Sequence, residues 1–253
     1  MTIPQTAHIA TAVAGAPAWT LLGAEPFRAA FEYFAYAWSR PPAQAAGDGH
    51  PVVIFPGLAT DECAIGPLKA YCTSLGHTVY DWGRGLNRGP DRDLGEWLDC
   101  LSLEIRELTS AHHQTVTLIG WSLGGIYARE IAKRITPRVR QVITIGTPVE
   151  ECAALTLAGL LYRLVNGQKA SVDEALTARL REAPGVPTTS IFSRSDGVVA
   201  WQACLQAGGR ADTENVEVEG SHCGLVWNRA VLAVIADRLQ QREGAWQPYA
   251  LPA

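Results

Sequence analysis

Gly120-Trp121-Ser122-Leu123-Gly124-Gly125 is the stretch whose reading decides the fold. The residues before it, Thr115-Val116-Thr117-Leu118-Ile119, are apolar or β-branched and predict a short buried strand. The residues after it place Leu123, Ile126, Tyr127, Ile131 and Ile135 at helical spacing, and Pro137 ends that run. Ser122 therefore falls on a sharp strand-to-helix turn. A tight elbow crowds its flanks, so the positions two before and two after must be nearly bare, and both are glycine. Such a turn lifts the Ser122 hydroxyl above the carboxyl end of a sheet. It also aims the first backbone N–H groups of the helix at whatever binds there.

Outward from the elbow, strands alternate with helices. Val52–Phe55 predicts a strand, Ile65–Leu75 a helix and His77–Trp82 a strand. A loop rich in glycine and arginine over 83–90 leads to a long helix at 91–110, with Leu94, Trp97, Leu98, Leu101, Ile105 and Leu108 on one face. Beyond the elbow helix come strands at Arg140–Ile145, Thr188–Phe192 and Asn215–Glu219, and Asn228 caps a last helix through Leu239. This alternation predicts an α/β fold, a mostly parallel sheet covered on both faces, with ligands at the carboxyl ends of its strands.

On the Gly-x-Ser-x-Gly elbow, its strand and its helix, the chain resembles the α/β-hydrolase superfamily and, within it, the lipase- and esterase-like members. The resemblance runs from about Pro51 to Leu239 and is specific for the superfamily, not for a substrate. It implies a small helical cap at about 149–186, over an acyl-binding cleft. The sequence there offers an apolar helix at Ala153–Val165, closed by Asn166-Gly167, and a capping box Ser171-x-x-Glu174 that starts a second helix. Two peripheral helices are the plainer alternative.

A serine hydroxyl is a weak nucleophile near neutrality and needs a base, with a third group to orient that base. Of the six histidines, His50, His77, His112 and His113 each lie just before a strand, at the wrong end of the sheet, and His8 lies in the N-terminal arm. His222, in Glu219-Gly220-Ser221-His222-Cys223-Gly224, follows a strand on the elbow's side and is the expected base. Asp196, in Ser193-Arg194-Ser195-Asp196-Gly197, leaves the preceding strand and is the expected acid. The order Ser122, Asp196, His222 is the one α/β-hydrolases use. The rival acids are Glu150 and Glu151, and an Asx-turn with Gly197 would account for Asp196 without catalysis.

The oxyanion formed on attack needs two backbone donors. One is the Leu123 N–H at the start of the elbow helix. By resemblance the other is the Leu58 N–H in Phe55-Pro56-Gly57-Leu58-Ala59-Thr60, where this chain has Pro-Gly in place of the His-Gly of many lipases. The expected activity is hydrolysis of carboxylic esters, small or lipid-like, through an acyl-Ser122 intermediate, with no metal or organic cofactor. A thioesterase, amidase or polyester depolymerase would use the same machinery, and a non-catalytic binding protein could share the scaffold.

The 253 residues, 47% of them hydrophobic, suffice for one sizeable core. A net charge of −4 with no basic stripe argues against a nucleic-acid partner. No run of eighteen apolar residues predicts a spanning helix, and residues 1–24, which lack Asp, Glu, Lys and Arg, also lack the basic start of a secretion signal. A cytoplasmic protein is expected. The six cysteines form no metal-binding spacing, and a Cys204–Cys223 bridge competes with two free thiols.

Upstream, residues 25–38 predict a helix with Phe27, Phe31, Phe34 and Trp38 on one face, and Pro41-Pro42 opens a linker. The expected organisation is an arm and aromatic helix over 1–48, packed on a catalytic domain over 49–253. A homodimer contact or an interfacial lipid anchor are the alternatives for the aromatic face.

Overall fold

In the computed structural model, residues 19–38, 47–149, 174–206 and 210–250 are described. Six strands form one sheet: β1 (Pro51–Phe55), β2 (Thr78–Asp81), β3 (Val116–Trp121), β4 (Val139–Ile145), β5 (Thr188–Phe192) and β6 (Thr213–Glu217). Their order is β2-β1-β3-β4-β5-β6, and every pairing is parallel. The helices are α1 (Trp19–Trp38), α2 (Gly66–Ser74), α3 (Leu94–His112), α4 (Leu123–Arg134), α5 (Glu174–Arg181) and α6 (Arg229–Gln240).

The core lies in two layers because the strands alternate. Val52 and Ile54 of β1, with Ile119, Ile143 and Ile191, face α2 and α6, where they meet Leu68, Cys72, Leu232 and Ile235. Val53 and Phe55, with Val116, Leu118 and Val142, face α3 and α4 and meet Leu98, Leu101, Tyr127 and Ile131. The four inner strands β1, β3, β4 and β5 are thus buried on both sides, the condition under which parallel sheets persist, while the edge strands β2 and β6 are only partly covered. After β2 the chain crosses back to place β3 on the other side of β1, so the crevice at the carboxyl ends of β1 and β3 is a topological switch point.

Boundaries follow local chemistry. Helix α3 starts at Leu94 rather than 91 because the Asp93 carboxylate accepts the Gly95 and Glu96 N–H groups. The Asn228 side chain does the same for α6 at Ala230 and Val231. Strand β6 begins two residues before its predicted start, in register with β5 from Thr188↔Thr213 to Phe192↔Glu217.

The predicted helix at Ala153–Val165 and the capping serine lie outside the described residues. The described part of that insertion, α5, is tied to α4. Buried Arg129 donates to the Leu180 and Glu182 carbonyls, at 3.2 and 2.9 Å, and Lys133 reaches the Arg179 carbonyl.

Helix α1 overturns the reading of its aromatic face. Phe27, Phe31, Phe34 and Trp38 are 80%, 75%, 65% and 90% exposed, so this face does not pack on the domain. The docked stripe is the opposite one, with Glu25 and Ala29 buried and Arg28 and Glu32 partly so. Tyr33 meets Trp227 edge-on at 5.4 Å. The physical reason is the nature of the surface beneath. It presents loop backbone N–H groups, which a carboxylate can satisfy and a phenyl ring cannot.

Candidate active site

The elbow has the predicted form. Ser122 sits at φ 53°, ψ −123°, between β3 and α4. A Cβ on Gly120 would lie 2.3 Å from the Gly125 Cα, and one on Gly124 would lie 2.3 Å from the Phe55 carbonyl oxygen, so both positions admit only glycine. Two further bonds hold the turn. The Ser122 N–H donates to the Ile145 carbonyl at 2.8 Å, and the Thr147 hydroxyl donates to the Ser122 carbonyl at 2.9 Å.

The loops after β5 and β6 meet beside it. His222 Nδ1 lies 2.6 Å from Asp196 Oδ2, with both side chains buried. This is the hydrogen bond seen within the trio Ser122, Asp196 and His222 among the described residues. The other Asp196 oxygen accepts the Val198 and Val199 N–H groups at 2.8 and 2.7 Å, so the Asx-turn and the contact with histidine coexist on one carboxylate. Trp121, next to the serine, donates its indole N–H to the His222 carbonyl at 3.2 Å. Gly146, at φ 55°, lies under the pair. A Cβ there would stand 3.2 Å from His222 Nδ1 and 3.3 Å from Asp196 Oδ2.

Burial lowers the His222 imidazole pKa. The Asp196 carboxylate, its hydrogen bond and the charge of Glu25 outweigh burial, and the pKa is raised above the ordinary histidine value. The neighbouring thiols are both free. Burial pushes Cys204 well above the ordinary thiol range and Cys223 up to about 11, so neither is a thiolate near neutrality.

Leu58 lies in the turn after β1, and Leu123 opens α4. The turn is fixed by Asn87, whose amide donates to the Pro56 carbonyl and whose main-chain oxygen accepts the Ala59 N–H, both within 2.8 Å. The Gly57 position packs on the elbow, since a Cβ there would lie 3.3 Å from the Ser122 Cβ. Asn87 was hidden in a loop that composition marks only as glycine- and arginine-rich.

The other histidines serve the amino end of the sheet. His50 bonds Asp48 at 2.5 Å and Thr117 at 2.8 Å, while His112 bonds Tyr80 at 2.7 Å. Glu150, Glu151 and His8 lie outside the described residues. Asp48, His50 and His77 come close enough together to suggest a metal site, but the Asp48 carboxylate and His50 Nδ1 both face the Arg140 guanidinium. A fixed cation there disfavours a second one.

A family model described as the alpha/beta hydrolase family matches residues 52–250. The chain is 32% identical over 105 residues to the pimeloyl-[acyl-carrier protein] methyl ester esterase of Shewanella woodyi, covering 41% of this chain and 38% of that protein. It therefore spans well under half the length of that relative. Among solved structures, the Bacillus licheniformis lipase BlEst2 superposes with a TM-score of 0.59 at 18% identity, over 79% of this chain and 96% of that one. Aspergillus fumigatus lipase B superposes with a TM-score of 0.56 at 18% identity, over 81% and 57%.

Proposed function

Because the chain belongs to the alpha/beta hydrolase family, we propose that it is a serine hydrolase that cleaves carboxylic esters through an acyl-Ser122 intermediate. The observation that carries the reading is the buried His222–Asp196 hydrogen bond beside a strained elbow serine. His222 Nε2 takes the Ser122 proton as Oγ bonds to the ester carbonyl carbon, and Asp196 holds the tautomer that leaves Nε2 free to accept it. The carbonyl π electrons move onto oxygen, and the Leu123 and Leu58 N–H groups receive the oxyanion. The tetrahedral species collapses, the alkoxide leaves with the proton from His222, and water repeats the cycle on the acyl-enzyme.

The esterase named among the relatives and the lipases named among the solved structures support an ester substrate, small or lipid-like.

Ser122→Ala tests the assignment. It should abolish fluorophosphonate labelling and lower kcat by about 10⁴-fold or more on p-nitrophenyl esters, because triad members act as a unit. A chain-length panel of esters beside the matching thioesters reads the acyl preference. Faster thioester turnover would move the reading to a thioesterase, and labelling that persists in Ser122→Ala would remove it.

A further inference from the structure

Glu25 is the first charged residue of the chain and lies 4% exposed on the docked stripe of α1. Its carboxylate points at the two loops that carry the acid and the base. Oε1 accepts the Gly197 N–H at 2.7 Å and the His222 N–H at 3.1 Å, and Oε2 accepts the Cys223 N–H at 3.5 Å. Neighbours on the same stripe add to the grip. Arg28 donates to the Ser195 carbonyl at 2.5 Å and to its hydroxyl at 3.0 Å. Glu32 accepts the Ser221 N–H at 2.9 Å and the Ser221 hydroxyl at 2.8 Å.

Two glycines mark where the helix presses. A Cβ on Gly197, the residue after Asp196, would lie 2.7 Å from the Leu21 carbonyl and 2.8 Å from Glu25 Cγ. A Cβ on Gly224, two residues after His222, would lie 1.5 Å from Glu32 Oε2. Both loops are thus bare at the point of contact. Apolar packing would hold a helix on the surface equally well. A buried carboxylate is costly unless donors meet it, and here the donors are main-chain groups of residues adjoining the acid and of the base itself.

We propose that Glu25 is a positioning residue for the triad: its one carboxylate, bridging the Gly197 and His222 N–H groups, holds the two loops where Asp196 Oδ2 meets His222 Nδ1. The inference rests on the reading of Asp196 and His222 as acid and base. One oxygen, Oε1, shared by a donor from each loop fixes the offset between them, and misplacement of about 1 Å costs up to about 100-fold in rate. Glu25 also acts on charge. The charged and titratable groups around the base are Asp196 on its own loop partner, Cys223 beside it, and Glu25, Arg28 and Glu32 from α1, with Arg28 3.8 Å from Glu25. Removing the Glu25 charge takes away one of the two carboxylates that favour the His222 imidazolium.

The test compares Glu25→Gln and Glu25→Asp with the wild type. Readouts are circular dichroism, kcat and KM on an ester, the acid limb of the pH profile, and the His222 titration by NMR. Glu25→Gln should keep the fold, lose about 10-fold or more in kcat with KM within about threefold, and titrate His222 at lower pH. Glu25→Asp keeps the charge but withdraws it by one methylene, so kcat falls while the His222 titration stays near that of the wild type. A folded Glu25→Gln with kcat within twofold and an unmoved titration overturns the proposal. A wild-type kcat in Glu25→Asp overturns it even where Glu25→Gln does not fold. Failure of the hydrolase reading shows separately, as an unlabelled Ser122 in the wild type, and the NMR titration still reads the clamp in that event.

Discussion

Ser122 holds a backbone conformation that side chains avoid, at φ 53° and ψ −123°. Such positions cost on the order of 1–3 kcal/mol and persist only where the surroundings over-determine them. The surroundings here are the Ile145 carbonyl, the Thr147 hydroxyl and the bare glycines on either side. Ser122→Gly should therefore separate stability from chemistry. Relief of the strain exceeds the roughly 0.5–1 kcal/mol that glycine's freedom costs through the unfolded chain. The variant should melt higher by about 2–4 °C, on a net gain of about 1 kcal/mol in a chain of this size, and take no fluorophosphonate label. A differential-scanning melt at or below the wild-type value would refute the strain account.

At the scale of elements, α1 is the instructive case. Its exposed rings bury little, so replacing Phe27, Phe31 and Phe34 with serine should each change stability by less than about 0.5 kcal/mol, as at ordinary surface sites. Urea midpoints check this, and a loss above about 2 kcal/mol for any one would mean that the aromatic face packs after all. The sequence reading went wrong here because periodicity reports which face is apolar, whereas docking depends on what the partner surface offers. That partner surface is made of loops placed some 170 to 200 residues later. No local pattern reveals it, although Gly197 and Gly224 stand at the contact points. The β/α alternation was legible for the opposite reason. Each strand and helix announces its own period, and the elbow glycines, the Asn228 cap and the loops of Asp196 and His222 are local signals. Asn87 and Thr147, whose side chains brace the site by hydrogen bonds to the Pro56 and Ser122 carbonyls, leave no such trace.

The molecule as a whole carries two histidine settings of opposite sign, one at each end of the sheet. Burial, with the charges of Arg140 and His77, holds His50 at about 4, against the opposing pull of Asp48, and His77 is lowered as well, chiefly by burial. His50 is therefore neutral in the native state near neutral pH, so its stabilising effect is present above the ordinary histidine value of about 6.5 and is lost as pH falls toward 4, and the lowered His77 acts in the same direction. The His50 share is on the order of 3 kcal/mol. His222 works the other way: its raised value stabilises the fold below about 6.5, and that contribution disappears as pH rises through the folded value. Urea unfolding between pH 6.5 and 4 should show stability falling with acid, and His50→Gln should flatten that slope. An unchanged slope would place the titrating group elsewhere. The site also joins distant parts of the chain, since the His222 N–H and the Glu25 carboxylate are 197 residues apart. Synthesis at about 5–20 residues per second delivers α1 roughly 10–40 s before the loop it grips. The helix that fastens the loops of Asp196 and His222 is therefore made early and docked late, its aromatic face uncovered throughout, and the Asp196–His222 pair waits for the residues after β6 to arrive.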